Sequence, residues 1–201
     1  MTCLFAGGIR NTCSTSYINS TLQVLLHFKP FTQLLADSSL QKNYLVKVLY
    51  TLYNKITETL NNISADSIIS YFHIDPRYLS DAQTFMALIY SNLPSDFHQI
   101  IFFSQIIKVE TPTNINQIAS NLLSNSILNT HEMIIFTIET ESSNDQLILL
   151  NPDDQINFNG QSYQFYGFIQ SMSNQYYFIM HDSIGWINCH DSSLSAIPVH
   201  Q

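Results

Sequence analysis

The spacing of apolar residues changes period once along this chain, near residue 97, and that change restricts the fold more than any other feature. Before it the spacing is helical. From Gln41 to Asn62, the residues Leu45, Val48, Leu49, Leu52, Ile56 and Leu60 fall on one stripe of an amphipathic helix. After Ser16, YINSTLQVLLHF repeats the pattern, and Pro30 suits a helix stop nearby. Asp66 to Phe72 reads as a short helix, and Ser80 can cap another running through Asp81, Phe85, Leu88 and Ile89 to Leu93. From His98 onward come HQIIFFSQIIKVE, EMIIFTIET, DQLILL, QINFNG, YQFYGFIQ and YYFIMHD, runs rich in Ile, Phe, Tyr and Thr that fit strands of an antiparallel sheet. NINQIASNLLSNSI, between the first two, is predicted as a short helix. Helices first and strands second predict an α+β fold with helices packed against one side of a sheet. Residues 1–201 suit one domain, helical over about 8–96 and β-rich over about 97–201.

Composition narrows the partners. The chain is 45% hydrophobic and 12% aromatic, enough apolar surface to offset the entropy of ordering. With 7 Lys+Arg against 15 Asp+Glu, the formal charge is −8, and nothing here neutralises phosphates by counterion release. Nucleic acid and anionic membrane are therefore poor partners, and a basic partner is favoured. Cys3, Cys13 and Cys189 are odd in number and lie at no metal-ligand spacing, which predicts a reducing compartment and no structural zinc. No window approaches the roughly 18 apolar residues of a membrane span, and MTCLFAGGIR has too short an apolar stretch for a signal peptide. The expected location is intracellular, cytoplasmic or nuclear.

The chemistry-bearing stretch is GIRNTCSTSYINSTLQ, residues 8–23. A loop that delivers a small side chain to a helix N-terminus places it among free backbone N–H groups and the positive end of the dipole, which stabilise a thiolate or an oxyanion. From the residues alone two readings stand. Either a nucleophile is presented there, or Ser14, Thr15 or Ser16 caps the helix.

The same stretch resembles the ubiquitin-specific proteases, cysteine deubiquitinases of papain-like lineage, whose box has the form G-L-x-N-x-G-N-T-C-Y-M-N-S-x-L-Q. Gly8, Asn11, Thr15, Tyr17, Asn19, Ser20, Leu22 and Gln23 are identical to it. A second element, Q-D-A-x-E-F-L, is matched by SDAQTFM from Ser80 to Met86. The third reads Y-x-L-x-A-V-I-x-H-x-G, then G-H-Y, then W-x-x-F-D-D, and appears here as YQFYGFI (163–169), NQY (174–176) and WINCHD (186–191). The resemblance, from Gly8 to about Ile197, implies a papain-like fold with a helical thumb and an antiparallel β palm. The zinc-bearing fingers insertion of that family has no counterpart between Ile127 and Glu132, and no cofactor is implied.

By position the resemblance places Ser16 at the nucleophile, Gln175 at the general base, His190 at the orienting acid and Asn11 at the oxyanion-stabilising site, with Asp191 completing the last box. Asp81, Thr84 and Tyr176 fall where the family holds the tail of ubiquitin, and Thr84 stands where glutamate is usual. A serine hydroxyl needs an adjacent base to attack, and the Gln175 amide has no useful proton affinity. His190 normally lies behind the base rather than against the nucleophile, while His181 and Cys13 are the other groups within sequence reach. Tyr176 and Trp186 are expected to fill core beneath the site. The expected function is a silent member of the family that binds ubiquitin or another protein, as a module or a subunit of a larger complex. The alternative is a working deubiquitinase whose cysteine has been changed to Ser16, which leaves Gln175 and His190 unexplained.

Overall fold

The computed structural model describes residues 8–12, 14–58, 63–78, 80–109, 131–140, 155–158, 161–172, 175–182, 185–191 and 193–196. In chain order these form β1 (Ile9–Arg10), α1 (Ser16–His27), α2 (Lys29–Ala36), a 3-10 turn (Leu40–Lys42), α3 (Tyr44–Glu58), β2 (Ile63–Ser64), α4 (Asp66–Tyr71), α5 (Ala82–Asn92) and α6 (Ser95–Ile100). Then follow β3 (Ile101–Val109), β4 (Met133–Thr140), β5 (Gln155–Phe158), β6 (Gln161–Gln164), β7 (Gly167–Met172), β8 (Gln175–Asp182), β9 (Gly185–His190) and β10 (Ser193–Ala196). Two compact units emerge: Met1–His98 together with Gly167–Gln201, and Gln99–Tyr166.

In the first unit α1 is the central element. All twelve of its residues are buried, and it packs against β8, α5, α2 and β9. Leu22, Leu25 and Leu26 supply apolar contact, but Asn19, Ser20, Thr21, Gln23 and His27 are buried with them. A helix enclosed on all sides leaves such groups only internal partners. Thr21 Oγ1 donates back to the Tyr17 carbonyl at 2.8 Å, and His27 Nδ1 donates to the Gln23 carbonyl at 2.7 Å. Around α1 the core is closed by Tyr17, Phe31, Phe97 and Phe178, with the Phe31 and Phe97 rings edge to face at 5.0 Å.

Local chemistry sets the boundaries. α1 stops because Phe28 is extended (φ −80°, ψ 107°), and Pro30 then sits in the first turn of α2. The proline thus starts a helix rather than merely ending one, since its missing N–H is an orphan donor in any first turn. α3 begins at Tyr44, not Gln41, because Asn43 Oδ1 accepts the Val46 N–H at 3.2 Å. The cap of α5 is Asp81 rather than Ser80, its Oδ1 accepting the Thr84 N–H at 2.7 Å.

The four-stranded sheet of this unit has the order β10-β9-β8-β7 and is antiparallel throughout, as expected. The YQFYGFIQ run is two strands, broken at Phe165 and Tyr166. β9 and β10 are not legible in the sequence, because their polar residues mask the strand period. In the second unit β5 and β6 pair antiparallel, whereas β3 and β4 pair in parallel, with Ile101 opposite Met133. The expectation of antiparallel pairing fails there. The strand expected from His98 begins at Ile101, because Ser95–Ile100 is helical. The helix expected over 114–127, the DQLILL strand and the fingers position between Ile127 and Glu132 lie, wholly or nearly so, outside the described residues.

Gly167 shows how tightly β7 meets β8. A Cβ there would lie 2.6 Å from the Ile179 carbonyl oxygen and 2.8 Å from the Phe178 ring. The resembling family carries alanine at this position, yet here the backbone leaves no room for a methyl group. Gly167→Ala is expected to destabilise the fold by about 2 kcal/mol through overpacking. Urea unfolding checks this, and an unchanged midpoint would contradict the close approach.

Candidate active site

The loop before α1 is organised by Asn11. Its Oδ1 accepts from the Thr15 backbone N–H at 3.2 Å and from the Thr15 hydroxyl at 2.9 Å, while Thr15 Oγ1 accepts the Thr12 N–H at 3.2 Å. Ser14 N–H donates to the Pro76 carbonyl at 3.1 Å, tying the loop to the segment before α5. Thr15 occupies the N-cap position, but its hydroxyl turns back to Asn11 instead of capping the first turn. The simple capping reading therefore does not describe this helix start.

Ser16 opens α1 and is 2% exposed. Its Oγ accepts the backbone N–H of Tyr176 at 3.2 Å. Among the described residues no imidazole is hydrogen-bonded to that hydroxyl. Gln175, one residue before Tyr176, is exposed, and its Oε1 accepts the Tyr177 hydroxyl at 2.9 Å. Ser16 and the start of β8 are thus neighbours through the backbone, while the Gln175 amide side chain is engaged with Tyr177.

His190, the last residue of β9, stacks on Tyr177 with centroids 4.3 Å apart, and its Nε2 lies 3.2 Å from Asp191 Oδ2. Asp191 is the junction of the site. Its Oδ1 accepts from Asn19 Nδ2 at 2.8 Å, its Oδ2 from Asn11 Nδ2 at 3.2 Å, and its carbonyl from Gln23 Nε2 at 3.0 Å. Asn19 Nδ2 also donates to the Ile9 carbonyl at 3.1 Å. Asp191 reaches these partners because its backbone is left-handed, at φ 47°, a conformation aspartate tolerates better than most residues. One carboxylate therefore joins the pre-helix loop, α1 and the end of β9. In the sequence, Asn19 and Gln23 stand out only as matches to a motif. The signal that marks them is an amide on a helix with no solvent-facing side.

The residues matched to tail binding are only partly brought together. Asp81 and Thr84 satisfy each other, with Thr84 Oγ1 donating to Asp81 Oδ2 at 2.8 Å beside the cap bond. Tyr176 reaches this end of the site through aromatic contacts, edge on to Tyr17 at 6.4 Å, and Tyr17 in turn edge on to Phe85 at 5.9 Å. Burial, and then the Asp81 charge, raise the Tyr17 hydroxyl above its ordinary range. Tyr176 and Trp186 are half-buried rather than core-filling. His181 packs against Trp186 at 5.1 Å in a cross-strand pair, while Cys13 lies outside the described residues. Among the described residues no three His, Cys, Asp or Glu side chains converge as metal ligands, and no helix is long and apolar enough to cross a membrane.

A buried hydroxyl at a helix head thus lies beside a strand that carries an amide, and a carboxylate ties the end of the next strand to the same helix. The ubiquitin carboxyl-terminal hydrolase family model matches residues 7–148, and the chain belongs to that family. Gln175, His190 and Asp191 lie beyond the matched span, where likeness of fold continues. The SAGA DUB module of Ubp8, Sgf11, Sus1 and Sgf73 bound to monoubiquitin matches at 12% identity with a TM-score of 0.70, covering 99% of this chain and 67% of that one. An essential yeast splicing factor matches at 11% identity with a TM-score of 0.69, covering 98% and 66%. The Ubp8–Sgf11–Sgf73–Sus1 SAGA DUB module matches at 13% and 0.67, covering 96% and 64%. The chain thus spans about two thirds of the length of these structures. No curated protein sequence matches it.

Proposed function

We propose that this chain is a catalytically silent, ubiquitin-specific-protease-like domain that serves as a protein-binding or scaffolding module. The observation that carries this is the pairing at the head of α1. Ser16 Oγ takes its hydrogen bond from a backbone N–H, and the side chain at the base position is an amide. An amide does not accept the proton that a serine must lose on attack. His190 is held by Asp191 and Tyr177, and Asn11 Oδ1 by Thr15, with its Nδ2 donating to Asp191. What survives the loss of a triad is on the order of 10³–10⁴ over water. A cysteine natural to position 16 accounts for that position alone and leaves Gln175 and His190 without a cause.

The partner is ubiquitin or another protein, met in a reducing intracellular compartment, within a larger assembly; no metal or cofactor is called for. The likeness to a module bound to monoubiquitin and to a splicing factor is consistent with this, since one fold carries different tasks. A labelled ubiquitin with a hydrolysable C-terminal group is expected to bind saturably in the micromolar range and to stay intact. Asp81→Asn keeps the cap of α5 while removing a charge, and is expected to weaken binding roughly tenfold, as loss of a charged hydrogen bond does. Absence of binding assigns the surface to a different protein, and cleavage contradicts the proposal.

A further inference from the structure

The ladder between β8 and β9 runs from Asp182 opposite Gly185 to Phe178 opposite Cys189. Continued in the same register, it would set Tyr176 opposite Asp191. It stops short, because at Asp191 the chain turns left-handed to engage Asn11, Asn19 and Gln23. The start of β8 is therefore without its β9 neighbour, and a backbone N–H in this half-buried place needs another acceptor. The Tyr176 N–H is given to Ser16 Oγ at 3.2 Å, while Thr15 and Ser16 are 1% and 2% exposed.

We infer that Ser16 has a positioning task of its own: its hydroxyl clasps the first residues of β8 onto the head of α1, where at 2% exposure it is closed to a ligand. The choice of oxygen over sulfur then has a physical cause. A hydroxyl is a good acceptor at this distance, whereas a thiol is a weak one and larger. The Tyr176 ring, edge on to Tyr17, holds the same junction from the side-chain face. A ligand segment that reaches Ser16 must first lift the beginning of β8.

Amide hydrogen exchange on the full chain, followed residue by residue by NMR, tests this. The Tyr176 amide is expected to be protected, and Ser16→Ala to speed its exchange roughly tenfold, as loss of one net hydrogen bond does at a locally opening site. Ser16→Cys is expected to produce a smaller increase, while Phe178 and Met180, inside the ladders, change less than twofold. An unprotected Tyr176 amide, or one indifferent to Ser16→Ala, overturns the inference. Should Ser16→Ala fail to fold, the Ser16→Cys amide decides by the same rule. Hydrolysis by a chain whose Tyr176 amide is protected would overturn the proposed silence, and an unprotected amide without hydrolysis would overturn the clasp.

Discussion

Asp191→Ala is expected to lower the stability of the fold by about 3 kcal/mol, or roughly 10 °C in melting temperature for a chain of this length. Its carboxylate is 12% exposed and accepts hydrogen bonds from Asn19 and Asn11, with His190 Nε2 3.2 Å away. Hydrogen bonds to a charged group each contribute about 1.5–3 kcal/mol, and amides left unpaired in a buried place add to the cost. The left-handed backbone at φ 47° adds a further penalty of about 1 kcal/mol for alanine. Asp191→Asn keeps the shape and part of the acceptor capacity, so less than half of the loss is expected. Differential scanning calorimetry of the three proteins checks this. A shift under 2 °C for the alanine variant would mean that the junction contributes little to holding β9 against α1.

The second large effect is acid sensitivity at His27. Burial pushes this imidazole from an ordinary 6.5 down to about 4, only partly opposed by its bond to the Gln23 carbonyl. In the unfolded chain it takes up a proton near pH 6.5, whereas in the folded one it stays neutral until about pH 4. Between these values the unfolded state binds more protons, so stability rises with pH across the window. The contribution is present above pH 6.5 and is lost as the pH falls to 4, amounting to roughly 3 kcal/mol. Urea unfolding at pH 7 and pH 4.5 is expected to show His27→Gln losing about 2 kcal/mol less than the unaltered chain. Equal losses would contradict a buried neutral imidazole. Asp75, which hydrogen bonds from Arg77 hold down to about 2, titrates below this window and leaves the comparison undisturbed.

The helical half was legible because its stripes are long: Leu45, Val48, Leu49, Leu52 and Ile56 have one arrangement that buries them together, and α3 adopts it. Its ends were less so. Ser80 and Asp81 are both good caps, and only the bond from the Thr84 N–H separates them. Pro30 ends one helix pattern and begins another, which a single proline signals equally well. Strand pairing is a long-range choice that local period does not carry, hence the parallel β3 and β4. Motifs single out Ser16, Gln175 and His190 in the sequence, but the reach of Asp191 is not legible there. It depends on one left-handed residue at the end of β9 and on which face of α1 the sheet covers.

The central claim concerns proton transfer at Ser16, and the initial rate of hydrolysis of a ubiquitin C-terminal fluorogenic amide by the unaltered chain tests it most directly. Between pH 6 and pH 9, with Gln175 at the proposed base position, the rate is expected to be indistinguishable from that of a heat-denatured control. A saturable rate well above that control, abolished by Ser16→Ala, would show that another group activates the hydroxyl and would contradict the account.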